Sequence, residues 1–514
     1  MKSKFKKLML LSITTATLLG LTSCKKNTYS KTTTSLVSIF EDYNKNNEIK
    51  NTVDTIVLDN DQMFIDWSWQ KFLWLTSNTE DNVPVFMKEL KQVNDFGEEI
   101  KIDFLKKKGL PSSYLKDGKL PLILDLYQQA DGTKLSSKSN SLVRYSIHAN
   151  DGILEMFNSD DASSIISQAA KILKNDSLKR SIRESKNQYP VGATEIKIAW
   201  IKTSEVVDST KTFNITAIVN KPDKNLDENY NNVELQRMSM IGFHIFTVTA
   251  EHPEGVWSTF DQRDLAPDRT SFHGNPVNSK SDKYTLFDGN SVGNTEDGII
   301  QDTTTLTPKV KNKVFQSHPE GVRYNQASQG MDVIKEDREF VTMIKSSNEL
   351  AKKALTNDKV KIWANYKLVG SIWSKTNAPI NELLDGNLSK PYGIGNGQSF
   401  GSLNLANVTM ETTFQAEGMN CFTCHSMNNN LYRTNASKKI NVKSPLINSH
   451  LFEKYAELKA ALLASQGAAK TDINKKLNTN TMKSSNDIDE INKLKNSIRE
   501  SSREEARELL KKYL

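Results

Sequence analysis

Gly242-Phe243-His244-Ile245-Phe246-Thr247-Val248-Thr249, at the centre of Met238–Ala250, decides the fold class. β-Branched and aromatic residues dominate it and proline is absent, the composition of a strand packed on a pleated surface. It runs on through Glu251 into His252-Pro253-Glu254-Gly255-Val256-Trp257-Ser258-Thr259-Phe260. On its N-terminal side, Glu195–Ile201 alternates apolar and polar residues in its first half. Phe213–Val219 does so again after a turn-rich spacer. Strands at these intervals predict an antiparallel sheet or sandwich, not a doubly wound fold.

Helical periods flank this β-rich centre. Phe64–Leu75 puts Phe64, Trp67 and Trp74 on one helical face and Trp69 and Phe72 on a second stripe, a large buried payload that reads as core. Tyr127–Asn150 and Gly152–Leu173 read as mixed strand and helix. Asp261–Val314 is rich in Asn, Asp, Ser, Gly and Thr and predicts long loops. Helix is predicted again over about Gly330–Thr356, and the glycines of Gly393–Gly401 predict a flexible loop. Asn428–Ser444 is polar. Leu451, Tyr455, Leu458 and Leu462 then recur at helical spacing, and a polar link over 475–486 precedes a last, charged helix to Leu514. The expected class is α+β: an antiparallel β-rich central region, helical segments on either side, and a C-terminal helical region. The expected division is a leader over 1–23, a polar tether over 24–60, a β-rich domain over 61–328, a helical region over 329–450 and a helical tail over 451–514.

The chemistry is concentrated in Met419-Asn420-Cys421-Phe422-Thr423-Cys424-His425-Ser426-Met427. Cys421, Cys424 and His425 form C-x-x-C-H, the attachment signature of a c-type haem. Two thiols three positions apart, on a turn entering a helix, can each add to one haem vinyl group. The histidine that follows then lies under the iron as its proximal ligand. A chance match, a disulfide and half a zinc site are the competing readings. A closed zinc site needs four protein ligands, and the chain has no second cysteine pair. A redox-active C-x-x-C is expected near a βαβ pattern, which this region lacks.

At the N-terminus, Lys2, Lys4, Lys6 and Lys7 precede an apolar run from Leu8 to Gly20, too short to span a bilayer. Leu21-Thr22-Ser23-Cys24 follows and resembles the lipobox of bacterial lipoproteins. That resemblance implies cleavage before Cys24 and lipid on its sulfur and new amine, and two or more chains anchor stably. An ordinary export signal with an incidental cysteine is the alternative, and either way the chain is expected outside the cytoplasm. The three cysteines are then assigned, Cys24 to lipid and the other two to haem, with none left for a disulfide. The formal charge of +7 includes the leader lysines. No basic aromatic groove points to nucleic acid.

Taken together, the chain resembles a family of bacterial exported proteins grouped loosely as cytochrome c family. The residues that carry the resemblance are Trp69-Gln70-x-Phe72, Glu195-x-Lys197-x-Ala199-Trp200 and His252-Pro253-x-x-x-Trp257-Ser258-Thr259-Phe260. Trp363-x-x-Tyr366-x-Leu368-Val369-Gly370, Leu405-Ala406-Asn407-x-Thr409-Met410-Glu411-Thr412 and C-x-x-C-H complete the set. The resemblance implies export and one covalent haem, and names no reaction. The leading expectation is single-electron transfer with a redox partner protein, from a lipid anchor in a bacterial membrane. The alternative is a haem enzyme or sensor with an open iron position. For the sixth iron ligand, His252 is the first candidate and Met410 the second, with a turn or core role competing for each.

Overall fold

The computed structural model describes residues 35–46, 57–80, 83–100, 141–220, 233–266, 337–403, 405–411, 420–433 and 437–477, with shorter pieces between them. Cys24 and the leader, most of the loop-rich Asp261–Val314 stretch, and the final charged helix lie outside the described residues. The class is α+β, built on a mostly antiparallel sheet.

Ten strands join in that sheet. Its main path runs Lys91–Val93, Arg144–Ala149, Thr194–Lys202, Val233–Thr249, His252–Gln262, Tyr366–Ser374, Gly397–Gly401 and Asn387–Pro391. The long Val233–Thr249 strand is central because it serves two neighbours. Its first half pairs with Asn214–Asn220 and its second half with Thr194–Lys202. A bulge at Ile241 of the long strand, opposite the Ala199–Trp200 step, lies near the change.

One face of the sheet is covered by helices. Asp61–Thr76 starts at Asn60, whose side chain accepts from Met63 N at 3.1 Å. Its Ser68 hydroxyl then reaches both Ser258 (2.7 Å) and Ser371 (2.6 Å) on two sheet strands. Phe72 stacks on Phe260 at 4.1 Å, and Trp69 meets Phe260 edge-on at 5.0 Å. Leu36–Asn46 and Asp337–Ala354 extend the same layer, with Phe40, Phe340 and Ile344 buried in it. Each such side chain removed from water contributes about 1.5–3 kcal/mol. The aromatic stripe at 64–75 is therefore core.

The opposite face is covered by Asp160–Lys174, the first turns of His450–Leu477, and the Cys421 segment. Ile165, Ala169, Phe422, Leu446, Phe452 and Ala456 share its core with Phe246 and Trp257 of the sheet. The molecule is thus layered helix, sheet, helix over the described residues.

Three expectations need correction. The boundary at 328/329 separates nothing: Tyr366–Ser374 hydrogen-bonds along His252–Gln262 and continues the same sheet. The stretch over 329–450 is also not mainly helical, since it supplies Tyr366–Ser374, Asn387–Pro391, Gly397–Gly401, Asn428–Leu431 and Ile440–Lys443 as strands. The glycine-rich Gly393–Gly401 is a tight turn leading into a strand. Gly393 and Gly395 hold φ of 82° and 62°, which side chains resist.

Candidate functional site

The motif sits on a single helical turn, Cys421–Cys424. Asn420 caps it: its side chain accepts from Phe422 N at 3.1 Å, while Thr423 Oγ1 accepts from Asn420 N at 3.2 Å. The Asn420 amide also donates to the Ser389 and Leu403 carbonyls, 3.1 Å each, tying the turn to neighbouring loops. Spacing of three puts Cys421 and Cys424 on one side of the turn. Both are free and half-buried. Burial pushes the Cys421 thiol well above its ordinary value, with Glu411 adding to the shift. Burial also raises Cys424, against the pull of Arg433.

His425 ends the turn, its N–H donating to Cys421 O at 2.8 Å. Its Nδ1 lies 3.1 Å from the Asn448 carbonyl, so Nδ1 carries the proton and Nε2 keeps its lone pair. The ring stacks on His450 at 3.7 Å and lies against Trp257 at 4.1 Å. Burial holds its pKa down at about 3, so the imidazole is neutral. Asn448 is itself held by the sheet, through its side-chain amide and the Glu254 carbonyl.

The sheet beneath is unusual in being polar on this buried side. Register places Lys197 opposite His244, and His244 opposite Thr259, forming one row across three strands. The next row toward the Cys421 segment is Glu195, Phe246, Trp257. On the other side of the polar row lie Ala199, Gly242 and Asp261. Glu195 accepts from Ser449 Oγ at 2.6 Å, and burial raises its pKa to about 7. Burial raises Asp261 likewise to about 7 and lowers the Lys197 amine. His244 Nε2 lies 3.3 Å from Glu411 Oε2, and Glu411 in turn accepts from Asn407 N at 2.9 Å. Gly242 allows this approach: a Cβ there would meet Thr409 Oγ1 at 2.2 Å.

Around the motif, Arg433 pairs with Glu453 through Nε (3.0 Å) and Nη2 (3.2 Å). Its Nη2 also donates to His450 Nε2 at 3.1 Å. Lys454 pairs with Asp95 at 2.8 Å. Buried polar atoms without hydrogen-bond partners gather here: His244 Nε2, Trp257 Nε1, Asp261 Oδ1 and Asn448 Oδ1. Such atoms cost free energy in a closed core, and their clustering marks a place built for something else. Glu195, Lys197, His244, Glu411, Cys421, Cys424, His425 and His450 all keep partial exposure inside this layer.

The structure brings Cys421, Cys424 and His425 together and places the two sixth-ligand candidates elsewhere. His252 faces the aromatic helices, edge-on to Phe64 at 5.2 Å. Both its nitrogens are taken, Nδ1 by Glu254 (2.9 Å) and Nε2 by the Leu58 carbonyl (3.1 Å). Met410 is buried with Tyr145, Val143 and Ile241 in an apolar cluster. Sequence reasoning missed Glu195, Lys197, His244, Asp261, Glu411, Arg433 and Asn448 as site residues. For Glu195, Lys197, His244 and Asp261 the available signal was polar residues at alternate positions of strands in the middle of the sheet; Glu411, Arg433 and Asn448 lie off those strands. Among the described residues no group of three or more His, Cys, Asp or Glu is arranged to hold a bare metal ion. No family model, curated protein or solved structure matches the chain.

Proposed function

We propose that the chain is an exported c-type haem protein, carrying one haem on Cys421 and Cys424 with His425 as proximal ligand, and that it transfers single electrons. One observation carries the reading. Beside two free thiols at the right spacing, His425 has Nδ1 committed to a backbone carbonyl and Nε2 uncommitted, the arrangement that orients a ligating histidine and raises its basicity. The residues fit the group in two other respects. Trp257 Nε1 is a buried donor without a partner, of the kind a haem carboxylate takes. The raised thiols argue against a redox dithiol, which works through a lowered thiol pKa.

Bound there, the group would supply a one-electron iron couple. The chain's own residues do the rest. Asn448 fixes the proximal tautomer, Trp257 and His450 fix the ring plane, and the surrounding core keeps the local dielectric low. Arg433, Glu411 and Glu453 act electrostatically on Cys424, and Arg433 and Lys197 on His425, so these charges would bias the charge state of an iron held there. A redox partner protein is part of this proposal. The second reading, a haem enzyme or sensor, draws support from the polar row Lys197, His244, Thr259 on the buried sheet face.

Membrane attachment through lipid on Cys24 belongs to the same proposal. Among the described residues no helix is long and apolar enough to cross a membrane. Expression with a cytochrome c maturation system tests the whole. The wild-type chain should stain for covalent haem on a denaturing gel and fractionate with membranes. Cys421→Ala with Cys424→Ala should abolish the stain, and Cys24→Ser should release the protein to the soluble fraction. A wild-type chain without covalent haem rejects the central reading. A Cys24→Ser chain that stays on membranes after a high-salt wash rejects the lipid anchor.

A further inference from the structure

The chain has seven histidines, and the fold disposes of most of them as partners for the iron. His148 and His252 lie on the aromatic-helix side of the sheet, against Phe86 and Phe64, so the sheet stands between them and His425. His252 has no free nitrogen. His450 is close, but its Nε2 accepts from Arg433. Its ring also stacks on the face of His425 at 3.7 Å. A second imidazole that would hold the iron needs a ring nitrogen with its lone pair free. His273 and His318 lie outside the described residues. Met427 is packed in the core two residues from His425, on the same short segment as the proximal ligand.

His244 differs on each count. Alternation along Val233–Thr249 puts it on the sheet face that carries Phe246 and Trp257, one cross-strand row from the tryptophan that touches His425. Its Nε2 is shielded from solvent and makes no hydrogen bond; the Glu411 carboxylate is 3.3 Å away. Its side chain keeps 13% of its exposure, so the ring is not sealed into the sheet. Gly242 on one side and Phe246 on the other share its face, and Gly242 adds no side chain there.

We propose that His244 is the second axial ligand of the haem iron, donating through Nε2. This deepens the haem reading above and rests on it. It makes the iron six-coordinate with two imidazoles, one carried by the C-x-x-C-H turn and the other by the central strand. It also favours electron transfer over ligand chemistry, because a filled sixth position leaves no site for a small molecule.

The test uses the full-length haem-loaded protein, with optical and electron paramagnetic resonance spectra of both oxidation states. The wild type should be low-spin with the signature of two imidazole ligands. His244→Ala should keep its covalent haem, turn high-spin when oxidised, and return to low-spin on adding imidazole. His244→Met should give a methionine-to-iron charge-transfer band absent from the wild type. A high-spin wild type, or a methionine band in it, overturns the proposal even if every variant misfolds. So does a low-spin spectrum that survives His244→Ala unchanged, or one lost in His450→Asn but kept in His244→Ala. A wild type with no haem stain on a denaturing gel is a separate failure, and it removes the haem reading as well.

Discussion

Toward the Asp61–Thr76 helix the sheet presents Ile196, Ile198, Trp200, Phe243, Ile245, Val256 and Phe260, all buried among aromatic rings. Toward the Cys421 segment the same strands present Glu195, Lys197, His244, Thr259 and Asp261. The first face gains stability from area removed from water. The second face has an apolar core of its own around Phe246 and Trp257. Its polar row gives part of that stability up, because ionisable groups taken from water cost free energy unless their partners are excellent. The contrast sets a face built by apolar burial alone beside one that also holds ionisable groups inside the protein.

The largest expected effect falls on the apolar face. Phe72 is fully buried and contacts Phe260, Phe243, Trp363 and Tyr366. Phe72→Ala should cost about 3–5 kcal/mol in denaturant unfolding. If the chain carries haem as proposed, the haem spectrum of the protein that remains folded should not move. A loss below about 1 kcal/mol would mean that this layer collapses around the gap, and the contrast between faces would weaken.

A smaller effect is expected on the polar face, and it depends on pH. Glu195 is raised by burial from an ordinary carboxylate value to about 7. The folded state therefore holds a proton that the unfolded state releases near 4.5. Its contribution is fully present below about 4.5 and is lost as pH climbs through about 7. Glu195→Gln keeps an oxygen to accept from Ser449 and removes the ionisation. It should flatten the fall in stability over that window. Wild-type and variant melting curves that run parallel between pH 4.5 and pH 7 would contradict the assignment.

The smallest effect is expected from the end of the chain. Leu451, Phe452, Ala456, Leu458 and Ala460 anchor the His450–Leu477 helix in the core, and all precede residue 461. A chain stopped after Gly467 keeps these contacts and should retain the haem stain and the full-length absorption spectrum. A changed spin state in that truncation would bring residues beyond 467 over the haem and make Met482 a ligand candidate.

Much of this was legible in the residues. The strands at 194–202 and 214–220 follow the segments whose alternation announced them, and the strand at 233–249 covers the stretch that β-branched and aromatic composition marked. The tryptophan-rich stretch is the core helix it resembled. The helix start expected at Gly330 was misplaced: Gly330–Val333 is a strand, and helix begins at Asp337. The more instructive failure concerns the polar positions. Alternating Glu195 and Lys197 have the pattern of a strand with one wet face. What covers that face comes from the 407–411 segment and from residues beyond 420, and strand periodicity carries no information about a cover so far along the chain. His252 misled for a related reason. Its position after a strong strand was read correctly, but the side of the sheet it faces depends on register, which one sequence does not display.

The reach of these covering contacts also bears on assembly. Ser68 meets Ser371 across 303 residues of chain, Tyr189 meets the Leu446 carbonyl across 257, and Ser449 meets Glu195 across 254. Both faces of the sheet are closed in part by pairings this distant along the chain, which makes for slow folding. Cys421 and Cys424 follow every strand of the ten-stranded sheet along the chain and precede the helix that starts at His450. If the chain is exported and takes haem as proposed, that order would leave the two thiols exposed while the layer that buries them still lacks its last helix, giving a haem-attaching enzyme its time to act.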